Sequence, residues 1–336
     1  MTKYVVARLL RSIVTIFAVI SIVFLLLRLM PISGYFEPGT YERLPESARI
    51  TRLHALGLSD MQGNMIHPLV QLGNYYKNLF TKLDLGVSLG ISQNTPVLEI
   101  IAQKAPYSVV LGVISTLISL LLGWTCGLFA ARYKNKAFDK FIIVYGAIVS
   151  ALPSIILILI LQIYITAWTG WPMIMKQGQL NSWYTPIIIL VLTSFAGDAL
   201  WLRRYTVDQI NSDYVKLAYA KGLPSNKVFF GHILRNAFTP MAYSLPAAFI
   251  LTISGSLLIE NAFGIPGMGR FFLMAITRRD NNVVQGIVFV YVVLGIFSVF
   301  LGDMLAAFVD PRIRLTSSAA TARPDETDLA GGADNG

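Results

Sequence analysis

The 336 residues are 55% hydrophobic and 13% charged, with 27 basic against 18 acidic side chains and a net charge of +9. Soluble domains carry about a quarter charged residues, so this composition excludes an ordinary soluble enzyme, a disordered chain and a coiled coil. A mean hydropathy of +0.61, with charge-free stretches long enough for the roughly 30 Å of a bilayer's hydrocarbon, predicts an all-α polytopic membrane protein.

The first span is expected at residues 9–30, behind Lys3, Arg8 and Arg11, with Arg28 reaching outward from its far end. Its basic start resembles a signal peptide, but the apolar run is long and lacks a small-residue cleavage pattern, so it reads as an uncleaved anchor. Further spans are expected at 107–131, 141–167, 183–202, 239–259 and 282–307, giving six transmembrane helices. Basic residues crowd the start of the chain, the loop after the second span (Arg132, Lys134, Lys136, Lys140) and the loop after the fourth (Arg203, Arg204, Lys216, Lys221, Lys227, Arg235). The positive-inside rule then predicts an N-in, C-in topology. The excess positive charge is thereby accounted for, and no nucleic-acid partner is expected.

The domain organisation follows. Residues 1–30 are an N-terminal segment and first helix, and 31–106 an external loop subdomain. Residues 107–310 form a five-helix core with a cytoplasmic loop at 203–240. Residues 311–336 are a cytoplasmic tail, rich in Ala, Gly, Ser, Thr and Asp and disordered from about residue 316. The first loop holds the amphipathic piece LVQLGNYYKNLF (69–80), the box DLGVSL (84–89) and a second amphipathic stretch at 96–106. It reads either as a subdomain lying on the membrane face or as a solvated loop.

In the loop at 203–240, Tyr214, Leu217, Ala218 and Lys221 share one helical face. Gly222 follows where a helix can turn, and Pro224 suits the start of a second helix at 225–237, with Pro240 opening the fifth span. Small residues there let another protein approach the backbone; a plain connector between two spans is the alternative. The run DYVKLAYAKGLPSNKVFFGHILRNAFTP (213–240) resembles the EAA loop of ABC-importer permease subunits. More closely, it resembles the first of the two paired membrane subunits of the oligopeptide and dipeptide importers, in the peptide/nickel permease family. Four further segments match that family in order: KYVVARLLRSIVTIFAVISIVFLLLRLMP (3–31), DLGVSL, ENAFGIPGMGR (260–270) and RDNNVVQGIVFVYVVLGIFSVFLGDMLAAFVDPRIR (279–314). The resemblance covers nearly everything but the tail.

The resemblance implies a type I ABC-importer-like core in a prokaryotic cell membrane, forming half of a pathway for oligopeptides or dipeptides. It implies a coupling helix whose ATPase contact is made by Leu217, Ala218, Tyr219, Ala220, Lys221 and Gly222, with His232, Arg235 and Asn236 joining it to the fifth span. Lys216 and Leu217 stand where the motif carries glutamate and alanine. The implied partners are a second similar permease, two ABC ATPase subunits, an external substrate-binding lipoprotein, the peptide and the lipid bilayer. No cofactor is expected in this chain; ATP and magnesium belong to the partner ATPases, since no G-x-x-x-x-G-K-[ST] occurs here. The chain is therefore not expected to be an enzyme, and no catalytic or metal site is expected. The same architecture importing nickel or another small solute is one alternative. A stand-alone channel or secondary transporter is another, and would need inverted repeats and a charged midplane site.

Several side chains within or beside the spans are candidates for function. The Gly/Pro-rich segment after Glu260, with Phe263, Pro266, Gly267 and Gly269, is a candidate external gate or a plain turn cluster. Asp198 reads as an ion-pair partner of Arg203 or Arg204, or as a substrate contact; Asp303 reads as a structural partner of a basic residue. Gln162, Ser115, Thr116, Ser119, Ser254 and Ser256 either face the pathway or bond between helices. Gly112, Gly123, Gly127, Pro153, Pro246, Gly255 and Gly295 permit close packing or bending. Cys126 reads as a packing residue, and His54, His67 and His232 have no metal-ligand spacing.

Overall fold

The computed structural model describes residues 2–36, 39–92 and 94–309. The tail at 311–336, with its expected disorder, lies outside them. The helices are α1 (Thr2–Arg28), α2 (Glu46–Ala55), α3 (Pro68–Lys82), α4 (Val97–Arg132), α5 (Ala137–Ala151), α6 (Ser154–Thr169) and α7 (Tyr184–Ile210). They continue with α8 (Asp213–Ala220), α9 (Ser225–Val228), α10 (Leu234–Ile250), α11 (Leu257–Phe263), α12 (Met268–Thr277) and α13 (Asn281–Val309). Among the described residues, four stretches, Val5–Arg28, Val97–Arg132, Leu180–Ile210 and Asn281–Leu305, are long and apolar enough to cross a membrane. Counting α5 and α6 together adds a fifth.

The sequence-based elements are redrawn in four places. The third is broken: α5 and α6 meet at an angle of 109°. Pro153 supplies no N–H and forces the residue before it out of helical geometry; Leu152 accordingly has φ −87° and ψ 137°. The fifth is interrupted. α10 ends at Ile250, a tight turn follows at Leu251–Ser254, and Gly255 takes φ +76° before α11 begins. The expected separate helix at 225–237 instead runs through a π-helical stretch, Phe229–Ile233, directly into α10, which contains Pro240 rather than starting at it. α4 also starts at Val97, so the amphipathic stretch of the first loop and the second span are one 36-residue helix.

α4 and α7 form the centre of the bundle. They approach closely because glycines remove side chains at the crossing. A Cβ on Gly127 would lie 2.4 Å from the Ala199 carbonyl oxygen, and one on Gly123 would lie 2.5 Å from the Asp198 Cβ. Gly112 does the same toward Thr252 (2.3 Å) and Gly302 toward the Tyr243 carbonyl (2.6 Å). Close packing is thus the role of Gly112, Gly123 and Gly127, whereas a Cβ on Gly295 would meet nothing within 4 Å.

α1 lies antiparallel to α13. Arg8, near the start of α1, pairs with Asp303, near the end of α13. At the other end, Arg28 shares a cavity with Asn282 and Gln285. In the first loop, the amphipathic piece is α3, which lies along α1 through Ser21 and Tyr76 (2.8 Å) and the Phe17–Tyr76 and Phe24–Tyr75 ring pairs. A small core of Tyr35, Phe36, Leu53, Leu56 and Leu58 closes the remainder.

The DLGVSL box is held by one carboxylate. Asp280, 1% exposed, accepts from the Ser88 hydroxyl (2.6 Å) and from the N–H groups of Gly90 (2.9 Å) and Ile91 (3.1 Å). Beside it the Asn282 amide donates to the Val87 carbonyl at 3.0 Å. Arg279, at φ +53°, donates to the carbonyls of Ser33 and Phe36. One short segment therefore ties the first loop to the head of α13.

Candidate coupling elbow and cavity

α7, α8 and the helix from Ser225 onward form an elbow. Asp213 opens α8 and Gly222, at φ +78°, ends it, a backbone region that only glycine adopts freely. α8 buries one side: Val215 and Ala218 pack with Val228, Phe229 and Ile233, against Leu128 of α4 and Ile210 of α7. Its other side is bare. Leu217 is 56% and Tyr219 46% exposed, and Ala220, Lys221 and Gly222 are exposed as well. Of the six residues expected to touch an ATPase, Ala218 alone faces inward. His232, Arg235 and Asn236 are exposed on the helix that follows. The Lys216 ammonium bonds Asp213 at 2.8 Å and holds that carboxyl below the usual carboxylate range. Arg132, at the end of α4, braces the elbow: it donates to Asn226 at 2.6 Å and stacks over Phe229 and Phe230.

At the opposite end of the bundle, Glu260 is fully buried. The Ser108 hydroxyl donates to it at 2.7 Å and the Arg270 N–H at 3.1 Å, while the Met268 N–H donates to Ser108 at 2.8 Å. Two glycines make room for its carboxylate: a Cβ on Gly255 or Gly267 would come within 2.4 or 2.5 Å of its oxygens. Gly269 is packed against the Leu257 backbone. Of the candidate gate residues, Phe263, Gly267 and Gly269 are buried and Pro266 is half-buried. Gln162 belongs to the same end, donating to the carbonyls of Met173 and Ala262.

Between the two ends, α4, α7, α10 and the turn after α10 line a half-open cavity of about 500 Å³. Its walls bring together Ser115, Thr116, Ser119, Ser256 and Asp198, residues singled out separately in the sequence, and add Ser194, Ser244 and Thr252. Ser254 is placed elsewhere, its carbonyl accepting from the Tyr291 hydroxyl at 2.7 Å. The ion pair expected for Asp198 does not form. Arg203 instead donates twice to Asp139, once at 2.8 Å, and Arg204 stacks on Trp201. The reason is helix length: α7 runs on to Ile210, so Asp198 sits near its middle, while Arg203 reaches the start of α5. Asp303 does pair with a basic residue, Arg8. Sequence reading missed Asp139, Ser108 and Asp280 as bonding partners; the sole signal was an acid next to a basic cluster or a Gly/Pro-rich motif. Cys126 is half-buried against Ala130, Ile142 and Ala199. Among the described residues, no three of His, Cys, Asp and Glu come together in a way that could hold a metal.

The chain is similar to known proteins. The oligopeptide transport system permease protein AmiC of Streptococcus pneumoniae is 35% identical over 62% of this chain, a match spanning 42% of the length of that relative. The dipeptide transport system permease protein DppB of Lactococcus lactis is 30% identical over 94% of this chain and all of its own length. OppB of Haemophilus influenzae, an oligopeptide transport system permease protein, is 29% identical over the same shares. Among solved structures, an amino acid ABC transporter with histidines matches at a TM-score of 0.49 and 14% identity, over 62% of this chain and 94% of that one. Residues 123–315, which include α5 to α13, the elbow and Glu260, match the family described as the binding-protein-dependent transport system inner membrane component, and the chain belongs to that family.

Proposed function

We propose that this chain is one of two membrane subunits of an ATP-driven importer for oligopeptides or dipeptides. Six crossings place both termini and the elbow in the cytoplasm, around a type I core, with the first loop outside. The observation that carries the reading is the bare side of α8. Leu217 and Tyr219 project from a short helix whose inner side is locked to α4 and α7, which suits a lever gripped by another protein. The occupant is an ABC ATPase, two per complex, holding ATP and magnesium; His232, Arg235 and Asn236 lie on the arm carrying its motion into α10. The partner permease supplies the other half of the pathway, and an external binding protein delivers the substrate to the first loop and the 263–269 segment. That segment, with Phe263, Pro266, Gly267 and Gly269, closes the external mouth beside Glu260, whose carboxylate Gly267 and Gly269 border. The peptide substrate is supported by relatives that match over their whole length and are named for peptides. Nickel or another small solute is the second reading on the same architecture.

Reconstitution with both ATPases, the partner permease and the binding protein tests this. ATP-dependent peptide uptake is expected. A cysteine at Tyr219, in a chain whose Cys126 is replaced by alanine, is expected to cross-link to an ATPase subunit. Leu217→Arg and Gly222→Arg are expected to cut uptake at least about tenfold, since a buried unpaired charge at an interface is worth several kcal/mol, while membrane insertion is unchanged. Normal uptake by both variants counts against the docking assignment.

A further inference from the structure

Buried or partly buried carboxylates in this bundle are closed by their surroundings, with one exception. Asp139 is paired with Arg203, Asp303 with Arg8, Glu260 with Ser108 and a backbone N–H, and Asp280 with a hydroxyl and two close N–H groups. Asp198 receives one hydrogen bond among the described residues, from the Ser119 hydroxyl at 2.9 Å. A carboxylate offers about four acceptor positions, so most of its capacity faces the cavity. No Lys, Arg or His lines that cavity. One turn along α4, Ser115 is 2% exposed and its hydroxyl, which also lines the cavity, has no hydrogen-bond partner. The space of about 500 Å³ exceeds one side chain, and it is walled by Gly112, Ala247 and Ala248 where larger residues would fill it.

An ammonium group crossing the middle of a bilayer must be paired or hydrated, because an unpaired charge there costs several kcal/mol. A carboxylate held by a single hydroxyl offsets that cost without the full enclosure that would trap the ion. We propose that Asp198, with Ser115 and Ser119, forms a transit site for the ammonium group of a peptide substrate, terminal or lysyl. The site rests on the peptide-importer reading and adds to it a residue of this chain that touches the cargo. A lysine or arginine of the partner permease is the competing occupant; the volume and the small-residue walls favour a visiting group over a permanent side chain.

The test uses the complete reconstituted importer and three labelled probes: tri-alanine, N-acetyl-tri-alanine and N-acetyl-Ala-Lys-Ala. Each variant is compared with the wild type on the same probe, so the binding protein's own preference cancels. Asp198→Asn is expected to lower ATP-dependent uptake of tri-alanine by roughly tenfold, the worth of one charge-assisted hydrogen bond, and to leave N-acetyl-tri-alanine within about twofold. Asp198→Glu, which keeps the charge, recovers most of the loss, and Ser115→Ala gives a smaller loss of the same kind. A loss for N-acetyl-Ala-Lys-Ala as well extends the site to lysyl ammonium; its sparing restricts the site to the amino terminus. Unaltered tri-alanine uptake by Asp198→Asn overturns the site. Equal loss of all probes, with the complex falling apart on size exclusion, overturns it in favour of a partner cation. Absence of ATP-dependent uptake by the wild type overturns the importer reading itself, and is seen before any variant is compared.

Discussion

Single carboxylates do much of the joining in this molecule, and each does so across a large sequence separation. Asp280 and Ser88 are 192 residues apart, Glu260 and Ser108 are 152, and Arg8 and Asp303 are 295. Such pairs leave no periodic trace in a sequence, which is why the acids were visible as residues and their partners were not. Removing one exposes buried donors rather than deleting a contact. Asp280→Ala leaves the Ser88 hydroxyl and the N–H groups of Gly90 and Ile91 without an acceptor. We expect a loss of roughly 2–4 kcal/mol, since a hydrogen bond to a charged group is worth about 1.5–3 kcal/mol and a stranded buried donor about 1–3. Thermal unfolding of the purified subunit reads that loss, and protease cleavage within residues 84–92 shows where it acts. Asp280→Asn, which keeps one acceptor oxygen, is expected to fall between the two.

At the scale of the elements, the gaps between charges located the long helices well, because a bilayer imposes a length that few other constraints do. They did not locate the breaks. Pro153 reads as permitting close packing or bending, and an apolar run reads the same whether it is one helix or two, so the 109° corner was out of reach. Pro240 misled in the other direction: in a helix running on from Ser225 it is tolerated inside α10, beside a π-helical stretch that already disturbs the bonding ladder. The α4–α7 seam was partly legible, as Gly123 and Gly127 one turn apart on α4. Its geometry fixes the outcome of enlarging it. Gly127→Leu must displace the Ala199 backbone and is expected to destabilise the subunit by about 1–3 kcal/mol or more. Gly295→Ala, with open space around it, is expected to change thermal stability by less than about 1 kcal/mol in either direction. Melting both variants in the same detergent checks the contrast.

For the molecule as a whole, the Arg8–Asp303 pair fastens the first helix to the last. Arg8→Gln and Asp303→Asn are each expected to lower stability. The double variant should lose less than the sum, by an interaction energy of about 0.5–3 kcal/mol, which a double-mutant cycle on thermal unfolding measures. A full sum would mean that the pair is not coupled.

That fastening also bears on the counting of passages. We propose an even number: a thread whose stretches at Arg8 and Asp303 are fastened on one face of a wall has pierced it an even number of times between them, against the five counted by length among the described residues. The Arg132–Asn226 bond adds a second rule: the stretches following α4 and α7 share a face. On that proposal, if α7 pierces the wall the cornered pair α5–α6 pierces it too, and α10 makes the sixth passage despite its 17 residues.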